Sequence, residues 1–207
     1  MHGPGQTSDP RLTSALRFVV ILNLVAFCVE FVIALSIDSV SLFADSVDFL
    51  EDLAMGVLVL AALRLPAHVR AKLGMGLAVL LLLPAGAMLV AIAQKFTTAT
   101  PIVPAPATLS LTGLGAFAVN IACTLILARV KNRSGSLTRA AFLSARNDVI
   151  GNIAIIAAGG ATALWPSIWP DIVVGLGIAA LNADSARDVL SAARREHRAA
   201  AGHDERK

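Results

Sequence analysis

Charged side chains are scarce in this sequence. They make up 15% of its 207 residues, whereas ordinary soluble domains contain about 25%. Hydrophobic residues make up 57% of the chain, and the mean hydropathy is +0.76. One soluble core cannot absorb such a surplus, so the composition argues against a water-soluble enzyme, a nucleic-acid-binding protein and a disordered chain. It predicts an integral membrane protein.

Cysteine and histidine are also scarce. The two cysteines, Cys28 and Cys123, lie in separate apolar runs, so we expect small packing residues rather than a disulfide or a CxxC metal site. The four histidines all fall outside the apolar segments, where solvated surface positions are expected: His2, His68, His197 and His203. No phosphate-binding loop is present, and the apolar segments contain no nucleophile–base pair, which argues against an enzyme.

Six apolar segments can cross a membrane. A bilayer core of roughly 30 Å needs about 20 helical residues, and the predicted spans are 18–37, 40–63, 73–93, 109–128, 140–164 and the shorter 172–183. The sequence therefore predicts an all-α integral membrane fold, a six-transmembrane-helix bundle. In domain terms, residues 1–14 form a flexible N-terminus, 15–190 the transmembrane domain and 191–207 a short basic tail.

The basic residues predict the orientation of this bundle. Fifteen of the 17 lysines and arginines precede the first span, follow the sixth, or lie in the loops after the second and fourth. Lys95 is alone on the opposite side, and Arg146 lies within a span. By the positive-inside rule, both termini are cytoplasmic, so the pI near 9.3 requires no nucleic acid. We expect a multi-pass protein of the cell membrane, specifically the bacterial inner membrane.

Six of the 14 acidic residues lie within predicted spans: Glu30, Asp45, Asp48, Glu51, Asp52 and Asp148. Each charge near mid-bilayer costs on the order of 2.5–3.5 kcal/mol, so six unpaired carboxylates would cost roughly 15–20 kcal/mol. A typical domain has a net stability of only about 5–15 kcal/mol. These groups must therefore be protonated, paired, hydrated or bound to a cation.

Helical spacing groups these residues into stripes. At about 100° per residue, Asp45, Asp48 and Asp52 share one face of the second span, which we expect to face the bundle interior, and Glu51 lies off that face. On the fifth span, an i, i+4, i+8 stripe contains Ser144, Asp148 and Asn152.

Two further residues of the fifth span lie beside this stripe. Asn147 is at its edge, and Arg146 points to nearly the opposite side. Arg146 is predicted to be a structural counter-ion for Glu51 or Glu30. Glu30 itself, with Asn23, is either a polar pair of the inner wall or a secondary proton carrier.

The two stripes are predicted to meet at one depth. Asp48 and Asp148 each lie about eight residues from a membrane entry, from opposite sides, which places both near the midplane, where transporters hold their substrates. Carboxylates with Ser and Asn oxygens suit divalent cations such as Mn²⁺, Fe²⁺, Zn²⁺ or Co²⁺. The pattern therefore predicts an intramembrane cation site.

These motifs resemble those of the cation diffusion facilitators, six-helix metal/proton antiporters. The stretch from Ser39 to Ser46 (SVSLFADS) is similar to the family's entry to helix 2. The helix-2 motif, His/Asp-x-x-x-Asp, matches Asp48 and Asp52, and the helix-5 motif falls on Ser144 and Asp148. The start of helix 6 at residues 169–171 is also similar, and the resemblance covers about residues 15–190.

The resemblance implies a role for each matched residue. Asp48, Asp52 and Asp148 would be metal ligands and proton-exchanging groups, and Asp45 and Asn152 would lie close to the transport path. Ser144 replaces the family's His or Asp, so a fourth, neutral oxygen would come from Ser144 or Asn147. The chain would be a short form without the family's C-terminal cytoplasmic domain.

The leading hypothesis is a secondary transporter, not an enzyme, that exports a divalent metal (Zn²⁺, Co²⁺, Cd²⁺, Mn²⁺ or Fe²⁺) in exchange for protons. The metal would be cargo, with no permanently bound cofactor. The partners would be the lipid bilayer and, if the chain associates, a second copy in a homodimer. The alternative is a non-transporting membrane interaction protein whose intramembrane acids only hold helices together.

Overall fold

The computed structural model describes residues 10–63, 89–130 and 136–181, with isolated positions between 64 and 88. Every regular element in these ranges is an α-helix. The elements are α1 (Pro10–Ser36), α2 (Val40–Ala62), α3 (described over 89–97), α4 (Pro106–Val130), α5 (Ser136–Leu164) and α6 (Trp169–Leu181). The prediction of an all-α fold is confirmed for the described part of the chain.

Several helices extend beyond the predicted apolar segments. α1 begins at Pro10, so residues 10–14, predicted to be flexible, are helical. α4 begins at Pro106, ahead of the predicted span of 109–128. Proline suits the first turn of a helix because its missing N–H would have no intrahelical partner there. The start of the predicted third span and the basic tail of 191–207 lie outside the described residues.

A tight turn connects α1 to α2. Asp38 adopts a positive φ of 53°, a conformation that the short polar side chains of Asp and Asn tolerate better than most. Ser39 then caps α2: its backbone is extended, and its side chain accepts a hydrogen bond from the Leu42 N–H at 3.2 Å. The turn thus fixes where the acidic helix α2 begins.

The longer helices pack as a bundle. α1 packs mainly on α2 and α4 mainly on α5, and the two pairs contact each other through α1 with α4 and α2 with α5. α6 approaches α2 at Gly175 and α5 at Ile178. α3 contacts α6 through the rings of Phe96 and Trp169, whose centroids are 5.8 Å apart.

Two apolar clusters occupy opposite ends of this bundle. One contains the beginning of α2 with parts of α4, α5 and α6, including Leu42, Leu109 and Ile155. The other contains the beginning of α1 and the end of α4, including Leu16 and Leu127. Six buried polar residues of α1, α2, α4 and α5 lie in the sequence between the two clusters: Asn23, Glu30, Asp48, Asp52, Asn120 and Asn152. Asp45 lies within the stretch of α2 that contributes to the first cluster. The bundle therefore has a polar layer in its middle.

The outer faces of α1 and α4 are apolar. Both helices are long and hydrophobic enough to cross a membrane, and only 28% of each apolar window is buried. Exposed side chains on these faces include Ile21 and Val32 on α1 and Leu111 and Leu125 on α4. Cys28 also lies on the exposed surface, contrary to the expectation that it is buried, whereas Cys123 is buried; both thiols are free.

Candidate cation site

The acidic residues of α2 lie inside the bundle. Asp45 is completely buried, Asp48 and Asp52 are each 8% exposed, and Glu51 is half-buried. This burial agrees with the prediction that Asp45, Asp48 and Asp52 share an inward face and that Glu51 lies off it. The inward face of α2 is therefore the acidic wall of the polar layer.

α5 provides the facing wall. Asn152 is completely buried and Asp148 is half-buried. The Asp148 carboxyl group is close enough to Asp48 and Asp52 for their charges to interact. Two helices thus bring acids from both predicted motifs together. Ser144, Arg146 and Asn147 lie on the α5 helix, but their side chains are outside the described residues.

Hydrogen bonds connect α2, α5 and α4 within this layer. The Asn152 amide donates to both carboxylate oxygens of Asp45, at 2.7 Å each. The Asn120 amide on α4 donates in turn to the Asn152 side-chain oxygen at 3.3 Å, which orients the Asn152 amide toward Asp45. Asn120 was not identified from the sequence, because a single Asn in an apolar helix carries no motif.

Glu30 of α1 faces the other side of Asp45. It is only 2% exposed, and neither carboxyl oxygen has a hydrogen-bond partner among the described residues. The Asp45 carboxyl group lies close enough for the charges of the two groups to interact. Two carboxylates this close repel each other unless they share a proton. Glu30 and Asp45 therefore form a buried carboxyl pair. The predicted pairing of Arg146 with Glu51 or Glu30 lies outside the described residues.

Other polar atoms of the layer also lack partners within the described ranges. They are Asn23 Nδ2 on α1, and Asn120 Oδ1 and Thr124 Oγ1 on α4. The Cys123 thiol donates only a long contact of 3.9 Å to Asn23 Oδ1. Buried polar groups are normally hydrogen-bonded, so these atoms give the layer unused capacity to form hydrogen bonds with water or a polar ligand.

The acids are neighbours but do not form a closed coordination shell. Among the described side chains, no three His, Cys, Asp or Glu residues converge as metal ligands. Charge interaction acts over a longer range than coordination, so the cluster of Asp48, Asp52 and Asp148 is compatible with this finding. The assignment of these residues and Ser144 as ligands stays a prediction.

A second acidic centre, which the sequence did not suggest, lies at the N-terminus of α2. Asp171 of α6 is completely buried. Its Oδ1 accepts hydrogen bonds from the hydroxyls of Ser39 and Ser41, both at 2.6 Å, and from the Ser41 N–H at 3.0 Å. Its Oδ2 accepts from the Val40 N–H at 2.8 Å. The carboxylate thus satisfies donors that a helix N-terminus leaves unpaired.

Lys95 of α3 completes this centre. Its ammonium group lies 3.8 Å from Asp171 Oδ2 and 3.4 Å from Asp38 Oδ2, and it donates to the Ile102 carbonyl at 3.4 Å. Lys95 is only 4% exposed. One indication of this centre was present in the sequence: Lys95 is alone on a side of the membrane that is otherwise predicted to have no basic residues.

Comparison with known proteins agrees with this architecture. The search among individual characterised proteins finds no match. The profile of the cation efflux transmembrane domain matches residues 16–196, which is most of the chain and includes all the acids of the polar layer. The resemblance of the motifs is thereby confirmed, and the chain belongs to the cation efflux family of membrane proteins that transport metal cations.

Proposed function

We propose that this protein exports a divalent transition-metal cation from the cytoplasm in exchange for protons. The observation that supports this proposal most directly is the acidic layer between two apolar clusters. Carboxylates at that depth cost on the order of 2.5–3.5 kcal/mol each when charged and unpaired. A metal cation would offset this cost in the loaded state of a transport cycle, and protons would offset it in the empty state.

The proposed ligands are Asp48, Asp52 and Asp148. Support comes from their burial, from the charge interaction of Asp148 with both α2 acids and from the family's motifs. A fourth, neutral oxygen would come from Ser144 or Asn147. An oxygen-rich donor set without imidazole suits Mn²⁺ and other hard or borderline cations better than a histidine site would, and the candidates remain Zn²⁺, Co²⁺, Cd²⁺, Mn²⁺ and Fe²⁺.

The proposed counter-ion is the proton. Metal ligands must be deprotonated to coordinate, so metal binding releases protons from carboxyl ligands. The Glu30–Asp45 pair offers a further place for a proton beside the ligands, with Asn152 holding Asp45 from the other side. Arg146 would act as a structural counter-ion for Glu51 or Glu30.

The proposed topology has six spans with both termini in the cytoplasm, in a bacterial inner membrane. The distribution of basic residues supports it, as do the outward apolar faces of α1 and α4. Single-cysteine labelling in a variant without Cys28 and Cys123 tests it. Labelling of a cysteine at position 135 from the outside would contradict the proposed orientation.

Transport by the purified protein in liposomes tests the function itself. Uptake of Mn²⁺, Zn²⁺, Co²⁺, Cd²⁺ and Fe²⁺ is measured with and without a pH gradient, and Asp48→Asn serves as the inactive reference. We expect metal flux that depends on the gradient and is absent in the variant. A protein that binds no metal and moves none would favour the alternative, a membrane interaction protein with structural acids.

A further inference from the structure

The contact between α6 and the beginning of α2 has an unusual density of hydrogen bonds. We call it the α2–α6 clamp and define it by Ser39, Val40, Ser41, Asp171 and Gly175. Asp171 accepts two backbone and two hydroxyl hydrogen bonds from three consecutive residues, all at 2.6–3.0 Å. Hydrogen bonds to an ionised acceptor are shorter and stronger than neutral ones, and the positive end of the α2 dipole favours a carboxylate at this place.

Gly175 makes a second contact one turn further along α6. A Cβ at this position would lie 2.9 Å from the Val40 carbonyl carbon and 3.0 Å from the Ser41 nitrogen. Both atoms belong to the α2 backbone, which cannot turn aside as a flexible side chain can. Only glycine lets α6 approach α2 this closely.

Together, the two contacts restrain α2 in two ways. Asp171 fixes the position of α2 along its axis, because its oxygens bond to N–H groups that point along that axis. The serine hydroxyls and the close packing at Gly175 fix the rotation of the helix. An α-helix rises 1.5 Å per residue, so Asp48 and Asp52 lie roughly 12 and 18 Å from Val40 on the same rigid element.

The clamp has no role in the proposed chemistry, because its carboxylate is saturated by donors. By the same rise per residue, it lies roughly 10 Å or more along α2 from the proposed ligands Asp48 and Asp52. Its effect on the site must pass through α2. We propose that Asp171 is a positioning residue for the cation site, which holds α2 so that Asp48 and Asp52 face Asp148 on α5. This inference rests on the proposed function of those three carboxylates.

Two pairs of variants test the proposal. Asp171→Asn keeps the size of the side chain but places an amide group against donors, and Asp38→Asn removes the other carboxylate that contacts Lys95 without touching α2. Gly175→Ala fills the close contact, and Gly177→Ala is its control, because nothing lies within 4 Å of a Cβ there. Alanine is the better helix former, so any loss in Gly175→Ala reflects the contact and not the helix.

The readout is the dissociation constant of Mn²⁺ and Zn²⁺, measured by calorimetry on monodisperse protein in detergent, well below each variant's unfolding temperature. We expect Asp171→Asn and Gly175→Ala to weaken binding by about ten- to a hundredfold, the range typical of outer groups that orient metal ligands. The two controls should remain within about twofold of the wild type. A purely structural role would lower the unfolding temperature and leave the affinity of the folded protein unchanged.

Wild-type affinity in folded Asp171→Asn would overturn the proposal. If Asp171→Asn does not fold, wild-type affinity in Gly175→Ala would overturn it. If the wild-type protein binds neither metal, the proposed function is overturned and this inference with it. If the wild type binds metal and all variants have the same dissociation constant, only the inference is overturned.

Discussion

Asp171 and Glu30 are two buried acids in the same bundle with opposite surroundings. Asp171 is completely buried and accepts four hydrogen bonds beside the ammonium group of Lys95. Glu30 is 2% exposed and has no hydrogen-bond donor among the described residues, only the carboxyl group of Asp45 nearby. Burial alone therefore does not separate these two acids; the hydrogen-bond donors described around each of them do.

This difference separates the bundle into two regions by role. The beginning of α2 is held by saturated hydrogen bonds, as expected of an element that fixes geometry. The polar layer in the middle has acids close enough for their charges to interact, and polar atoms without partners among the described residues. Each buried polar group without a hydrogen-bond partner destabilises the fold by about 1–3 kcal/mol. We therefore expect a layer of such groups only where a bound cation or proton offsets this cost.

The largest expected effect follows from removing a charge from the polar layer. Asp48→Asn and Asp148→Asn should each abolish metal transport in liposomes while the protein stays folded, because the site loses a proposed ligand. Asp38→Asn, at an exposed acid of the other region, is the matched control and should retain transport. Full transport by Asp148→Asn would contradict the assignment of the site.

A smaller effect is expected from the asparagines that hold Asp45. Asn152→Ala removes both hydrogen bonds to a completely buried carboxylate and should lower the free energy of unfolding by about 1–3 kcal/mol. Asn120→Ala removes only the 3.3 Å bond to Asn152 and should cost about 0.5–1.5 kcal/mol. Denaturant titration in detergent measures both. Equal losses would show that Asp45 does not depend on the Asn152 amide.

Amide substitutions at the two contrasted acids should differ in their effect on stability. Glu30→Gln gives Asp45 a new hydrogen-bond donor, so the free energy of unfolding should stay within about 0.5 kcal/mol of the wild type or rise. Asp171→Asn places a donor against donors and should lower it by about 1–3 kcal/mol. A large loss of stability in Glu30→Gln, measured by the same titration, would contradict the pairing of Glu30 with Asp45.

The smallest effect concerns the packing of α4 on α5. A Cβ at Gly113 would lie 2.9 Å from Ile155 Cγ2, whereas nothing lies within 4 Å of one at Gly115. Gly113→Ala should lower the unfolding free energy by about 1 kcal/mol, and Gly115→Ala should leave it unchanged or raise it by up to about 1 kcal/mol. Thermal unfolding of the pair is sufficient, and the reverse order would contradict the packing described above.

Much of the polar layer was predictable because it depends on helical periodicity. Asp45, Asp48 and Asp52 fall on one face at a spacing of three and four residues, and an acid in an apolar helix must face inward. The same reasoning placed Asn152 opposite this face. The bounds of α1 and α4 were less predictable, since hydropathy marks the apolar part of a helix and not the turns that extend beyond it.

The α2–α6 clamp could not be predicted from the sequence. Asp171 and Ser41 are separated by 130 residues, and nothing in local spacing relates them. Likewise, the approach of Glu30 to Asp45 depends on the rotation of α1 against α2. The sequence could indicate that each buried charge needs a partner, but only the packing of the helices decides which partner it has.

The most direct test of the central claim is proton release during metal titration. Unbuffered wild-type protein in detergent is titrated with Mn²⁺ or Zn²⁺ at several pH values, with Asp48→Asn, Asp52→Asn and Asp148→Asn in parallel. Since protons and metal compete for the same carboxylates, metal affinity should rise with pH, and on the order of one or more protons should be released per metal bound. A metal affinity that does not depend on pH, with no proton released, would contradict the account.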